Sequence, residues 1–141
     1  MGHCEHGQLT QQATDGRPAV ADEAKPVGLL DSVSYNAVTT ALDALALRQR
    51  AIADNVANIQ TPGYHAQVVE FEDALARAVG RGSGVADATV RRSLAPTQLN
   101  GNNVNLDEQT TLNVETNLRY QLATQAVGGQ YSSVRAAMRT S

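Results

Sequence analysis

From Leu29 to Gln60 the chain carries neither proline nor glycine, and Val38, Leu42, Leu45, Ile52, Val56 and Ile59 recur at spacings of four and three, with Gln49 filling the one vacant place. This is a heptad seam, the pattern of a helix whose apolar stripe faces one partner helix. Asp31, Ser32 and Ser34 stand where an N-cap belongs. Pro62 must end the run, because its ring forbids continuation and pushes Thr61 toward extended geometry. Pro62 and Gly63 suit the centre of a type II turn, where proline presets the first torsion and glycine accepts a positive second one.

A second helical pattern closes the chain. Tyr120, Ala123, Val127, Tyr131, Val134 and Met138 lie three or four apart, and Leu118, Leu122 and Ala126 widen the stripe. Asp107 precedes it, placed to cap the helix or to sit at the positive end of its dipole. Gly128 and Gly129 interrupt it; two interior glycines cost about 2 kcal/mol relative to alanine, so they mark either close backbone packing or a flexible joint.

The stretch between the two patterns is short of apolar runs. Partial alternation from His65 to Glu72 predicts a short extended segment, and a brief helical turn fits Glu72 to Val79 equally well. Gly80 to Gly84 is expected to be a flexible break, Val85 to Leu99 alternates weakly, and Asn100 to Asn105 is a turn-forming cluster. The expected fold is mainly α, with long N- and C-terminal amphipathic helices forming a coiled-coil-like hairpin around a short irregular, β-containing middle. Residues 1–28, polar and without periodicity, are expected to be a disordered N-terminal extension. Residues 29–141 then form one domain: an N-terminal helix over 29–60, a turn with an extended and flexible middle over 61–110, and a C-terminal helix over 111–139.

Composition sharpens this picture. With 141 residues there is room for one modest domain, and aromatics make up only 4% against 42% hydrophobic residues overall. A core without aromatic bulk is thin, and a two-helix hairpin must offset about 1 to 2 kcal/mol of backbone entropy per ordered residue. The helices are therefore expected to find further helices outside the chain. The net charge of -3 argues against a nucleic-acid partner. No stretch is apolar enough to span a bilayer, and Met1 to Gly28 lacks the charged and apolar regions of a cleaved secretory signal.

Candidate chemistry is sparse. His3, Cys4 and His6 have ligand character for zinc or copper, but in a polar tail without supporting residues the cluster is better read as incidental, and no cofactor is expected. A nucleophilic pair of Cys4 with His65 would need the tail to fold over the Pro-Gly turn, which nothing in the sequence supports. Glu70, Glu72 and Asp73 suit a solvated acidic face better than a pair of catalytic acids. No enzymatic activity is expected.

Asp54 to Tyr64 reads Asp-Asn-Val-Ala-Asn-Ile-Gln-Thr-Pro-Gly-Tyr at the end of the N-terminal heptad helix. It resembles the Ala-Asn-Ile-Ala-Asn-Ala-Asp-Thr-Pro-Gly-Tyr signature of bacterial flagellar basal-body rod proteins, with Asn55, Ala57, Asn58, Thr61, Pro62, Gly63 and Tyr64 matching. Asn100 to Glu108 is similar to the family's Asp-Gly-Asn-x-Val-Asp-x-Asp-x-Glu segment, with Asn100 and Asn105 standing where the family usually has Asp. Asn117 to Gln121 resembles the Asn-x-x-Tyr-Gln start of the C-terminal helix in the proximal rod protein, and differs from the Ser-Tyr-Gln-Ala-Asn core of FlgC. The resemblance covers about residues 29 to 139.

It implies a structural subunit of the rod, assembling through its terminal helices for motility. Implied partners are other copies of itself, FlgC and the distal rod proteins, the adaptor FliE, the membrane ring and the flagellar type III export apparatus, which passes the chain to the cell envelope uncleaved. On this reading Asn55 and Asn58 pack or hydrogen-bond at subunit contacts, where helix-terminal preference alone is the local alternative. Phe71 with Leu75 resembles the aromatic-x-x-x-aliphatic export signal of early flagellar subunits; packing against the neighbouring helix accounts for the pair equally well.

Overall fold

The computed structural model describes residues 32–139, so the expectations for residues 1–28, Asp31, His3, Cys4 and His6 lie outside the described residues. Two long helices, α1 (Ser32–Ala57) and α3 (Leu106–Arg139), flank a middle made of β1 (Gln67–Glu70), α2 (Glu72–Gly80) and β2 (Thr89–Arg92). The mainly helical hairpin expected from the two periodic patterns is present. Side-chain contacts of Asn55 with Gln109 and of Gln49 with Asn117 step down one helix as they step up the other, which makes the pair antiparallel.

The hydrophobic core is not centred on the interface between these helices. Ala44, Leu45 and Ala51 of α1 pack with Val69 and Phe71, and Leu75 and Ala88 close the cluster from the middle segment. The physical reason lies in α3, whose inward residues near its start are polar: Gln109 and Thr116 are buried and Asn117 bonds to Gln49. Apolar burial therefore goes to the middle, and α1 carries a second buried stripe of Ala44, Arg48, Ala51 and Asn55 beside the seam.

Nor is the middle a flexible link. β1 and β2 pair antiparallel, with Val69 opposite Val90 and Glu70 opposite Thr89. Gly80 to Gly84, expected to be a flexible break, docks on the start of α1: the Asn36 Nδ2 donates to the Ser83 carbonyl at 3.3 Å and the Thr40 hydroxyl to the Gly84 carbonyl at 3.2 Å. Gly84 sits there with φ +67°, and a Cβ on it would fall 2.3 Å from the Val33 carbonyl oxygen. Only glycine meets both demands.

Helix ends differ from the expected ones for local reasons. α1 stops at Ala57, short of Gln60, because the carbonyls of Asn58, Ile59 and Thr61 are taken by the Asn102 side chain rather than by further helical turns. α3 starts at Leu106, ahead of 111, because the Asn105 Oδ1 accepts from the backbone N–H groups of Asp107 and Glu108 at 3.0 and 3.3 Å. Asn105 is the cap; Asp107 takes the alternative place at the positive end of the dipole. Gly128 and Gly129 lie inside a continuous helix with open space where a Cβ would stand, so no close packing among the described residues explains them.

Candidate functional site

Two regions carry the signature residues and the expected seam: the turn after α1, and the outer face of α3. At the turn, Tyr64 N–H bonds to the Thr61 carbonyl at 3.3 Å and Gly63 has φ +70°, as a type II turn around Pro62 requires. Thr61 donates from its hydroxyl to the Asn58 Oδ1 at 3.1 Å, and the Asn58 Nδ2 donates to the Asp54 carbonyl at 2.8 Å. Ala57, exposed, closes the helix beside them.

Asn55 is the hub. It is fully buried, and its Nδ2 donates to the Gln67 carbonyl at 2.8 Å and the Gln109 Oε1 at 3.0 Å. Its Oδ1 accepts from the Gln67 N–H at 2.7 Å and the Tyr64 hydroxyl at 3.2 Å. One carboxamide thus ties α1 to the turn, to β1 and to α3. Asn55 faces inward and is spent inside the chain, so the subunit-contact reading of this residue gives way to an internal one.

Asn102 and Asn103, expected only as part of a turn-forming, family-like segment, complete the network. Besides holding three carbonyls at the end of α1, Asn102 accepts through Oδ1 from the Val104 N–H at 2.7 Å. Asn103 accepts from the Ala66 N–H at 2.7 Å and donates to the carbonyls of Ser93 and Ala95 at 3.2 and 3.1 Å. Among the described residues no buried side-chain nitrogen or oxygen lacks a partner. The signal available in the sequence was the density of asparagine in Asn100 to Asn105, each side chain carrying both donors and acceptors.

A second polar knot joins α1, α2 and α3. The Arg48 guanidinium lies 4.8 Å from the Phe71 ring centre, donates to the Val69 carbonyl at 2.8 Å and pairs with Glu72 at 2.7 Å. Arg119 reaches Glu72 at 3.1 Å and also pairs with Glu115. Partial burial pushes the Glu72 carboxyl up, but hydrogen bonds from Arg48 and from the backbone N–H groups of Glu72 and Phe71 outweigh it, and the pKa lies below the ordinary value. Glu72 is therefore a structural ion-pair partner rather than part of a freely solvated acidic face; Glu70 meets Arg91 at 3.5 Å, and Asp73 is exposed.

The seam residues separate into two environments. Leu45 and Ile52 are buried, Val38, Leu42 and Ile59 are half-buried, and Val56 is exposed. On α3, Val127 is half-buried with Ala123, whereas Leu118, Tyr120, Leu122, Tyr131 and Met138 are exposed; the Val134 side chain lies outside the described residues. Val114, Leu118 and Leu122, four residues apart, form an outward ridge with exposures of 57%, 57% and 66%. Phe71 is buried in the core and Leu75 packs against it. His65 is half-buried, and among the described residues no group of three His, Cys, Asp or Glu side chains is placed to hold a metal ion.

A turn locked by family-signature asparagines beside a long helix with a bare apolar ridge is an assembly module in form. The family model of flagella basal body rod proteins matches residues 36–65, the whole seam of α1 and the whole signature turn. The FlgB flagellar basal body rod protein of Escherichia coli (strain K12) is 30% identical over 113 residues, covering 64% of this chain and 81% of that protein. The chain belongs to the flagellar basal body rod proteins. FlgB of Borrelia hermsii is 31% identical over 116 residues, covering 66% of this chain and 86% of its own. FlgB of Bacillus subtilis (strain 168) is 28% identical over 109 residues, covering 67% and 84%. This family membership places the network around Asn55, Asn102 and Asn103 inside a FlgB-like rod protein.

Proposed function

We propose that this chain is a structural subunit of the proximal flagellar rod, working by assembly through its two long helices and not by catalysis. One observation supports this most: α3 leaves Val114, Leu118 and Leu122 exposed as one apolar ridge, a surface that a solitary soluble domain covers. Covering such a surface yields about 25 cal/mol per Å² of apolar area, which is the driving force the subunit carries into assembly. The partners on this reading are other copies, FlgC, the distal rod proteins, the adaptor FliE and the membrane ring, with the helices packed along the axis of the rod in the cell envelope. No described atom lies within 4 Å of where a Cβ on Gly128 or Gly129 would stand, and the bare backbone there admits a neighbouring helix at close range.

Assembly in the envelope requires passage through the flagellar type III export apparatus, without a cleaved signal. Phe71 and Leu75 are covered in the folded chain, so they act as an export signal only before folding. Phe71→Ala is expected to lower the amount of chain reaching the periplasm; unchanged export would assign the pair to the core alone. Deleting the gene tests the function as a whole. Cells without flagella and with basal bodies lacking a rod are expected, and motile cells with complete basal bodies would contradict the reading.

A further inference from the structure

Residues 93–100 project beyond β2, and they present Leu94 at 98% exposure with Leu99 fully exposed. The loop is tied down: Ser93 N–H bonds to the Ala66 carbonyl at 2.7 Å and Gln98 N–H to the Asn102 carbonyl at 2.7 Å, while Asn103 holds the carbonyls of Ser93 and Ala95. Two leucines held outward on an anchored loop are a built protrusion. Arg91 and Arg92 lie just before it; Arg91 meets Glu70 at 3.5 Å on the surface, a weak tie, and Arg92 has no ion-pair partner among the described residues.

A groove of about 350 Å³ lies between α1 and residues 85–88. Ala44, Leu47 and Ala88 give it an apolar floor, and Asp43 and Asp87 stand on its rim without ion-pair partners among the described residues. Protrusion and groove thus match in kind: leucines flanked by two arginines, and an apolar trough flanked by two aspartates.

One molecule cannot bring them together. β1 runs back along α1 from the level of Asn55, which bonds Gln67, to that of Arg48, which bonds Val69. β2 is antiparallel to it, so residues 85–88 lie beside the middle of α1 and residues 93–100 beside its end, where the Asn100 carbonyl accepts from Gly63. From Ala44 to Asn58 the helical rise places the two features roughly 20 Å apart along the axis. Complementary patches at different places on one molecule make a head-to-tail contact that propagates instead of closing.

We infer that residues 93–100 of one copy seat in the groove of a second copy, Leu94 and Leu99 on Ala44, Leu47 and Ala88, with Arg91 and Arg92 facing Asp43 and Asp87. The contact deepens the rod reading and rests on it, because it supplies one repeating step of a helical assembly.

The test uses the full chain in cells, with Cys4→Ser as background and Leu94→Cys combined with Val85→Cys. Both positions are exposed, so folding is not at stake. Oxidised basal bodies should yield a ladder of disulfide-linked dimers and larger species, absent from either single variant. Asp43→Arg with Asp87→Arg should weaken the ladder severalfold, and adding Arg91→Asp with Arg92→Asp should restore it. Basal bodies that contain the chain only as monomer, or only as dimer, overturn the inference and leave the rod reading standing. A ladder indifferent to charge reversal also overturns it, and basal bodies without the chain overturn both.

Discussion

Removing the Asn55 carboxamide strands the Gln67 N–H and carbonyl, the Tyr64 hydroxyl and the Gln109 side chain together. Each buried group left unpaired costs about 1 to 3 kcal/mol, so Asn55→Ala is expected to lower unfolding stability in urea by at least about 2 kcal/mol. An effect below about 0.5 kcal/mol, the range of ordinary surface changes, would show that the network is not tight. Gly84→Ala forces a Cβ against the Val33 carbonyl at a positive φ, and should free residues 81–84 from α1, seen as faster hydrogen exchange over both. Glu72 supplies a pH dependence. Its folded pKa lies below the unfolded value, so its stabilisation is present above about pH 4.3 and is lost as pH falls through the folded pKa. Glu72→Gln should remove that part of the acid slope, and should change stability least below the folded pKa, where the carboxyl is already neutral and its ion pairs are gone.

At the scale of elements, the helices and the turn at Pro62 were legible in the sequence because their causes are local: apolar period, the lost N–H of proline and the torsion of Gly63. The middle was not, because its order comes from polar side chains reaching far along the chain. Asn103 meets Ala66 across 37 residues and Asn55 meets Gln109 across 54. No periodicity encodes such contacts. The same cause explains the helix ends: Asn105 caps α3 and Asn102 takes the last carbonyls of α1, roles that an asparagine-rich turn allows without specifying. The apolar seam marks one face of α1, whereas the buried Arg48 and Asn55 mark a second face that a hydrophobic pattern cannot report. Asn105→Ala should cost about 1 kcal/mol as a lost N-cap, measured by thermal unfolding followed by circular dichroism. Gly128→Ala and Gly129→Ala, where space is open, should each stabilise α3 of the isolated chain by about 1 kcal/mol.

For the whole molecule, the expectation of a thin core that other subunits complete is sharpened by where the deficit lies. The small core is shared between α1 and the middle, and the asparagine network ties the start of α3 to it. The outer face of α3 is left bare, so under the proposed function folding and assembly use different surfaces. Leu118 and Leu122 belong to the second and not the first, which lets the two be separated by substitution. The decisive measurement is the amount of chain in purified basal bodies from cells carrying Leu118→Asp with Leu122→Asp, alongside the circular dichroism melt of the same purified variant. The account predicts a melt within about 0.5 kcal/mol of the parent, as for surface changes, with the chain missing from basal bodies and the cells non-motile. A variant that incorporates fully and supports motility would contradict it.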